Sequence, residues 1–237
     1  MLCDLHTHLL PGVDDGAADL SESLRLLSQE EACGVDTVVL TPHFKPQVQN
    51  SEDFLARRAA AFETLREGYS GPIEFRLGAE VLYSKYLANM ERIGDFCIEG
   101  TDYLLLEMPY HAQFDEKTVR SVLRLFDEHG IRPILAHVER YDAVLRDVSI
   151  LERFREGGCL FQVNAATVTR KGFFAGRFLK RLVKEGYLDL LGSDCHDPEH
   201  RKAEIAPAIN RLRELFGEQI VREILGATEM VLSNQRW

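Results

Sequence analysis

An α/β fold is predicted, in which about seven strand and helix units build a parallel sheet that is covered by helices and closed into a barrel related to the eight-unit form. Three features predict it. Short apolar runs alternate with amphipathic stretches along nearly the whole chain, and those runs are continuous in the way of strands buried on both faces. A histidine or carboxylate follows almost every run. An open doubly wound sheet is the competing architecture, but no Gly-x-Gly-x-x-Gly follows any run.

The first run, LCDL, leads to a helix in which Leu20, Leu24 and Leu27 recur at helical spacing behind Asp19 and Glu22, a variant of the capping box. DTVVL (36–40) precedes a helix beginning near Ser51 with Phe54, Phe62 and Leu65 on one face. IEFRLGAE (73–80) reads as the third strand and runs into a less regular segment. YLLLE (103–107) is followed by a helix from about Asp115 carrying Val119, Val122 and Phe126. The unit recurs in IRPILAH (131–137) with helix 149–156, CLFQVN (159–164) with helix 173–185, and LDLLGSD (188–194) with helix 202–215. A last amphipathic segment, about 217–226, is expected to end at Gly226.

At 237 residues with 45% hydrophobic side chains, the chain reads as a single domain, 1–237, able to bury a large core. A net charge of −10, spread along the chain, argues against a nonspecific grip on nucleic acid. Cys3, Cys33, Cys97, Cys159 and Cys195 are odd in number and widely separated, so neither a disulfide framework nor a cysteine zinc site is supported. With no basic and apolar leader and no run of membrane-spanning length, a cytoplasmic protein without direct membrane insertion is expected.

The chemistry lies at the strand ends. His6 and His8 follow the first strand, His43 the second, Glu80 the third, Glu107 the fourth, His137 the fifth, and Asp194 with His196 the last. A barrel brings such ends onto one face, where side chains distant in sequence meet. A lone His-x-His occurs in many proteins without a metal, Glu107 is equally a solvated strand end, and Asp194 is equally a helix cap. Their coincidence at the same end of successive strands is what those readings fail to explain. With Asp15 the set has nine imidazole and carboxylate ligands and no sulfur, which suits Mn²⁺, Fe²⁺ or Zn²⁺ and is enough for two or three ions when a carboxylate bridges. His129 reads instead as a cation at a helix C-terminus, and His111 has no strand to place it.

The segments DLHTHLLPGVDDGA, TPHF, GAEVLY, YLLLEMP, PILAHVERYD, QVNAATV and GSDCH together resemble the polymerase and histidinol phosphatase (PHP) superfamily, and within it the bacterial manganese-dependent tyrosine phosphatases of capsule and exopolysaccharide loci. The resemblance implies a distorted (β/α)7 barrel of PHP type with a trinuclear centre, Mn²⁺ as the metal, and a phosphotyrosine protein, a bacterial tyrosine kinase, as substrate. It implies His6, His8, Glu80 and Asp194 on one ion, Glu80, Glu107 and His137 on a second, and Asp15, His43 and His196 on a third. The match takes Asp15 rather than Asp14, a choice the residues alone leave open. Arg140 and Arg201 match family arginines, and guanidinium groups suit the outward oxygens of a metal-bridged phosphate.

Metal-assisted hydrolysis is the mechanism these residues predict, with no general acid named; Asp197 and His200 are only nearby. Phe44, Tyr83, Tyr110 and Tyr141 each closely follow a proposed ligand, placed either to stack on a tyrosine substrate or to pack under loops. CHDPEHR (195–201) fits the Cys-x5-Arg spacing of thiol phosphatases, but its acidic residues and Pro198 suit a phosphate loop poorly. Histidinol-phosphate phosphatase is the nearest alternative, and a catalytically silent kinase-binding module the alternative of another class. The ligand ring weighs against the latter, because a pure binder has no use for so many mutually repelling carboxylates.

Overall fold

A computed structural model describes residues 1–236. The first half of the chain forms β1 (Cys3–Thr7), α1 (Leu20–Ala32), β2 (Thr37–Leu40), β3 (His43–Phe44), α2 (Ser51–Gly68), β4 (Glu74–Leu77), β5 (Glu80–Leu82), β6 (Tyr103–Glu107) and α3 (Glu116–His129). The second half forms β7 (Arg132–Leu135), α4 (Asp142–Arg146), α5 (Glu152–Glu156), β8 (Leu160–Asn164), α6 (Ala165–Thr169), α7 (Phe173–Lys184), β9 (Leu190–Gly192), α8 (Ile205–Phe216) and α9 (Glu218–Leu232).

Every strand pairing is parallel, in the orders β1-β2-β4 and β3-β5-β6-β7-β8-β9. Thr41 and Pro42 interrupt what is otherwise one strand between β2 and β3, and Gly78 with Ala79 does the same between β4 and β5. The strands therefore occupy seven positions around the sheet, and the distortion is this double break. Closure is made at the far edge. Thr7 and Cys195 form a parallel bridge, Asp194 N–H donates to His6 O at 2.8 Å, and His8 N–H donates to Cys195 O at 3.0 Å. The distorted (β/α)7 barrel is thus the architecture found.

The two breaks realign the ends of the strands they interrupt. His43 and Glu80 become the first residues of β3 and β5 and lie in register with each other. Burial of strand side chains on both faces explains the continuous apolar runs: all of TVVL and YLLLE is buried.

Several expected boundaries shift. The single strand expected over 73–80 is the broken β4 and β5. The helix expected over 149–156 begins as a 3₁₀ turn, Val148–Leu151, and α4 precedes it. Gly226 does not end the last helix: Ala227, Val231 and Leu232 are buried beyond it, and that packing outweighs the roughly 1 kcal/mol a mid-helix glycine costs. Phe126 lies exposed, and Leu125 completes the buried stripe of α3 instead. The cap at α1 forms as a variant: Asp19 Oδ1 accepts from Glu22 N–H at 3.0 Å, while Glu22 Oε2 accepts from Ala18 N–H at 2.9 Å. Among the described residues all five cysteines are free thiols, and no helix is long and apolar enough to cross a membrane.

Candidate metal centre

The nine histidines and carboxylates expected as ligands meet at one face of the barrel. Glu80 stands at the middle. Its Oε2 has His43 Nδ1 at 2.9 Å, His6 Nε2 at 3.2 Å and His8 Nε2 at 3.3 Å, and its Oε1 has His137 Nε2 at 2.7 Å. Asp194 Oδ1 lies 3.5 Å from His6 Nε2, 3.4 Å from His8 Nε2 and 3.5 Å from His196 Nδ1. Glu107 approaches His137 at 3.8 Å and His43 at 4.0 Å, and Asp15 approaches His43 Nε2 at 3.5 Å and His196 Nε2 at 4.0 Å. Among the described residues four groupings have ligand atoms mutually close enough for one ion: three within the cluster, namely His6, His8, Glu80 and Asp194; His43, Glu80 and Glu107; and His8, His43 and His196; and a fourth outside it, Asp4, Glu30 and Cys195. His129 and His111 lie elsewhere, on Ala88 O and Asp142 respectively.

The rings are oriented from behind. His8 Nδ1 donates to Asp14 Oδ2 at 2.7 Å and His6 Nδ1 donates to Gln162 Oε1 at 3.1 Å, so the neutral form of each ring turns its Nε2 lone pair into the centre. His196 Nδ1 donates to the Asp194 carbonyl at 2.9 Å, with the same result for its Nε2. Asp14 also accepts from His43 N–H at 2.8 Å and from Gly16 N–H at 3.0 Å. The two aspartates therefore divide: Asp14 is spent on positioning, whereas Asp15 is largely solvent-exposed and turned toward His43 and His196. Gly16 is required by close approach, since a Cβ there would lie 2.2 Å from His8 O. Gly192 likewise lets β9 pass His6, whose Cβ would be 2.5 Å from an added methyl.

Burial works against the charge of Glu80, Asp194, His6 and His8, but their opposite signs offset it. Burial raises the Glu80 carboxyl, yet His6, His137 and His43 hold it well below the usual range, and His6 and His8 do the same for Asp194. The His8 ring is pushed down by burial and brought well above its ordinary value by Asp14, Asp194 and Glu80. His196 is lowered to about 3 by burial and by the charge of His8. Burial and the neighbouring Glu80 raise Glu107. Glu80 Oε2 is crowded by three imidazole nitrogens within 3.3 Å without a well-formed hydrogen bond to any of them, and the buried His196 Nε2 has no hydrogen-bond partner. Inward lone pairs, bridging carboxylate geometry and unpartnered buried ligand atoms are what divalent ions need, so the residues fit such ions.

Both arginines converge on the outer oxygen of the same carboxylate. Arg140 Nη1 lies 3.0 Å and Arg201 Nη2 2.7 Å from Asp194 Oδ2, and each guanidinium stays partly open to solvent. Tyr110 stands beside Arg140, exposed, with its hydroxyl 3.4 Å from Arg140 Nη1. Tyr83 is half-buried. Two other aromatic candidates are not at the mouth: Phe44 is stacked under the site on Phe96, and Tyr141 is fully buried, its hydroxyl donating to Ala136 O at 2.6 Å and accepting from Met108 N–H at 3.0 Å. Cys195 is buried with its Sγ 4.0 Å from Glu30 Oε1, and burial together with Glu30 and Asp4 holds the thiol well above its ordinary value. Asp197 accepts the N–H groups of Glu199, His200 and Arg201, which are the donors a thiol phosphatase loop would turn toward phosphate.

Four supporting residues escaped sequence reasoning. Gln162 links His6 to Asn164, whose Nδ2 donates to Asp194 Oδ2 at 2.7 Å. Asp4 Oδ1 accepts from His6 N–H at 3.1 Å and Ser193 N–H at 2.9 Å, tying the first strand to the last. Glu139 accepts from Asn164 N–H and the Thr167 hydroxyl. Polar residues inside an apolar strand, as Gln162 and Asn164 are in LFQVN, were the available signal. His137 and Asp194 are also held at φ of 30° and 55°, a backbone strain that gathers at functional sites.

Tyrosine-protein phosphatase YwqE of Bacillus subtilis is 26% identical over 245 residues, covering 99% of this chain and 92% of its own. Tyrosine-protein phosphatase CpsB of Streptococcus pneumoniae is 26% identical over 238 residues, covering 94% of each. The solved structure described as YwqE from Bacillus subtilis and CpsB from Streptococcus pneumoniae, metal-dependent tyrosine phosphatases, has the same fold, with a TM-score of 0.84 at 23% identity over 99% of this chain and 95% of the other. Residues 2–232, which include every member of the cluster, match the family described as capsular polysaccharide synthesis, CpsB/CapC, and the chain belongs to that family.

Proposed function

We propose that the chain is a metal-dependent protein-tyrosine phosphatase, one domain over residues 1–237, that acts in the cytoplasm on a tyrosine kinase of capsule or exopolysaccharide synthesis. The observation that carries this reading is the convergence of inward-facing imidazoles on Glu80 and Asp194, with two arginines meeting on the outer oxygen of Asp194. The tyrosine-phosphatase names of the relatives supply the substrate class.

Following the family resemblance, His6, His8, Glu80 and Asp194 would hold one ion, Glu80, Glu107 and His137 a second, and Asp15, His43 and His196 a third; the mixed nitrogen and oxygen set suits Mn²⁺, Fe²⁺ or Zn²⁺, and the resemblance implies Mn²⁺. Bound there, such ions supply Lewis acidity and a water that ionises near neutral pH. Asp14, Gln162 and the Asp194 carbonyl keep the protons of His8, His6 and His196 on the far side of the rings, so these three rings need not turn when ligands are needed. Arg140 and Arg201 hold phosphate oxygens as charge gathers on them during in-line displacement, through charge-assisted hydrogen bonds. The leaving phenolate, of pKa near 10, needs little protonation, which agrees with the engagement of Asp197 in its own turn. Tyr110, exposed beside Arg140, offers a ring face to the substrate ring.

The test is the ratio of kcat/KM for a phosphotyrosine peptide to that for histidinol phosphate, with elemental analysis of the same preparation. A ratio well above one with two or three equivalents of Mn²⁺ is expected. Preference for histidinol phosphate would overturn the substrate while leaving the metal reading intact.

A further inference from the structure

One stretch of this acidic chain is wholly basic. Between Asn164 and Glu185 stand Arg170, Lys171, Arg177, Lys180, Arg181 and Lys184, with no aspartate or glutamate. Several of these cations border a cavity of about 320 Å³ between α6, α7 and α8, lined by Arg170, Lys171, Lys180 and Arg211 over an apolar floor that includes Val168 and Leu179. Arg211 is paired with Glu214 at 3.0 Å and Arg181 with Asp147 at 3.2 Å. Arg170, Lys171 and Lys180 have no carboxylate partner among the described residues and are exposed.

The cavity is linked to the segments that carry Arg140 and Arg201. Thr167 lines it and donates its hydroxyl to Glu139 Oε1 at 3.1 Å, and Glu139 directly precedes Arg140. At the end of α6, Thr169 donates to Glu204 Oε2 at 2.8 Å, and Glu204 stands three residues beyond Arg201. The helix α6 therefore borders the basic cavity and is hydrogen-bonded to both segments that carry the arginines. An extended peptide advances about 3.3 Å per residue, so a segment held at the arginines reaches the far side of α6 within roughly three to five residues. Its apolar floor strengthens the attraction of the cations for a carboxylate by lowering the local dielectric.

We infer that this cavity is a subsite for acidic side chains flanking the phosphotyrosine of a peptide substrate. The inference rests on the phosphatase reading above. A concave pocket linked to the segments that carry the arginines suits a carboxylate side chain of a bound peptide better than a lipid surface, which would meet a flat or convex face.

The experiment compares two phosphotyrosine peptides of equal length, one with glutamates three to five residues from the phosphotyrosine and one with alanines there, and p-nitrophenyl phosphate as a substrate too small to reach the cavity. Wild-type protein is expected to show a KM about fivefold lower for the acidic peptide, the worth of one or two partly exposed charge pairs, and the difference should shrink with salt. The double variant Arg170→Glu, Lys180→Glu should abolish or reverse the preference with p-nitrophenyl phosphate hydrolysis unchanged, which also certifies its fold; Arg170→Lys, Lys180→Arg should retain it. Equal KM values for the two peptides, or a preference that survives charge reversal, would overturn the subsite while leaving the phosphatase reading standing. If neither peptide is cleaved while p-nitrophenyl phosphate is, both readings fall. Capture of the wild type but not the charge-reversed variant by phosphatidylglycerol vesicles, with no peptide preference, would assign the surface to lipid instead.

Discussion

The Asp14 carboxylate lies 2.7 Å from His8 Nδ1 and holds that ring with its other nitrogen toward the centre of the cluster. Asp14→Ala should therefore weaken metal affinity by about 10- to 100-fold, the usual effect of losing a residue that orients a ligand, while the ion count at saturating metal stays the same. Asp15→Ala should lower the count itself. Titration calorimetry with elemental analysis checks both, and the opposite pattern would exchange the roles of the two aspartates.

Glu80 touches four imidazoles, and one of them, His43, turns its other nitrogen toward Asp15. Glu80→Ala is expected to cost more than any other single ligand change, because its loss leaves neighbouring cations without a shared negative charge. His43→Ala should remove chiefly one ion. Equal falls in metal content would sink this division of labour.

Chelation should abolish activity and added Mn²⁺ should restore it, whereas alkylating reagents should do little, since Cys195 is buried and its thiol held protonated. Activity that persists through thorough chelation but is lost in Cys195→Ser would reverse the choice of chemistry.

Arg140→Ala should raise KM and lower kcat together for every phosphomonoester, with kcat/KM down about a hundredfold. Tyr110→Ala should reduce turnover of aryl phosphates more than that of alkyl ones. Tyr141→Phe should instead lower stability by about 1–3 kcal/mol, since it strips partners from the buried Met108 N–H and Ala136 carbonyl. Selective loss of aryl substrates in Tyr141→Phe with unchanged thermal stability would contradict this.

Metal-free protein should lose stability as pH rises above neutral. Burial lowers His6 and His8, but the surrounding carboxylates more than reverse this and place both above the ordinary 6.5. A raised folded pKa contributes stability that is complete below the unfolded value and is lost as pH climbs through the folded one. His196, pushed down to about 3, is neutral in folded and unfolded chains above 6.5 and adds no slope there. The Tm of metal-free protein should accordingly be lower at about pH 8.5 than at about pH 7. Saturating Mn²⁺ should reverse the order, because ligation needs neutral rings. A metal-free Tm that rises over that interval is the contrary result.

The barrel and the positions of the nine clustered residues could be read from the chain because a parallel β/α alternation converts sequence order into geometry. Once each apolar run is a strand, the residues just after it lie on one face, so His6, His43, Glu107 and Asp194 are neighbours however far apart they stand in sequence. Sequence reasoning also left Cys195 aside on the chemistry of its surroundings, and its burial beside Glu30 agrees.

Other features were decided only by tertiary packing. Asp14 and Asp15 are chemically identical neighbours, and what separates them is the approach of His8 Nδ1 and His43 N–H to one and not the other. Phe44, Tyr110 and Tyr141 each follow a ligand, yet which of them reaches solvent depends on what other segments lay over them: Phe96 covers Phe44, and Met108 with Ala136 engages Tyr141. The supporting roles of Gln162 and Asn164 depend on their hydrogen bonds to His6 and Asp194, partnerships between distant segments that no local pattern encodes. Strand order and end chemistry are local properties carried along the chain, whereas burial and hydrogen-bond partnership are relations between segments that exist only once the barrel has closed.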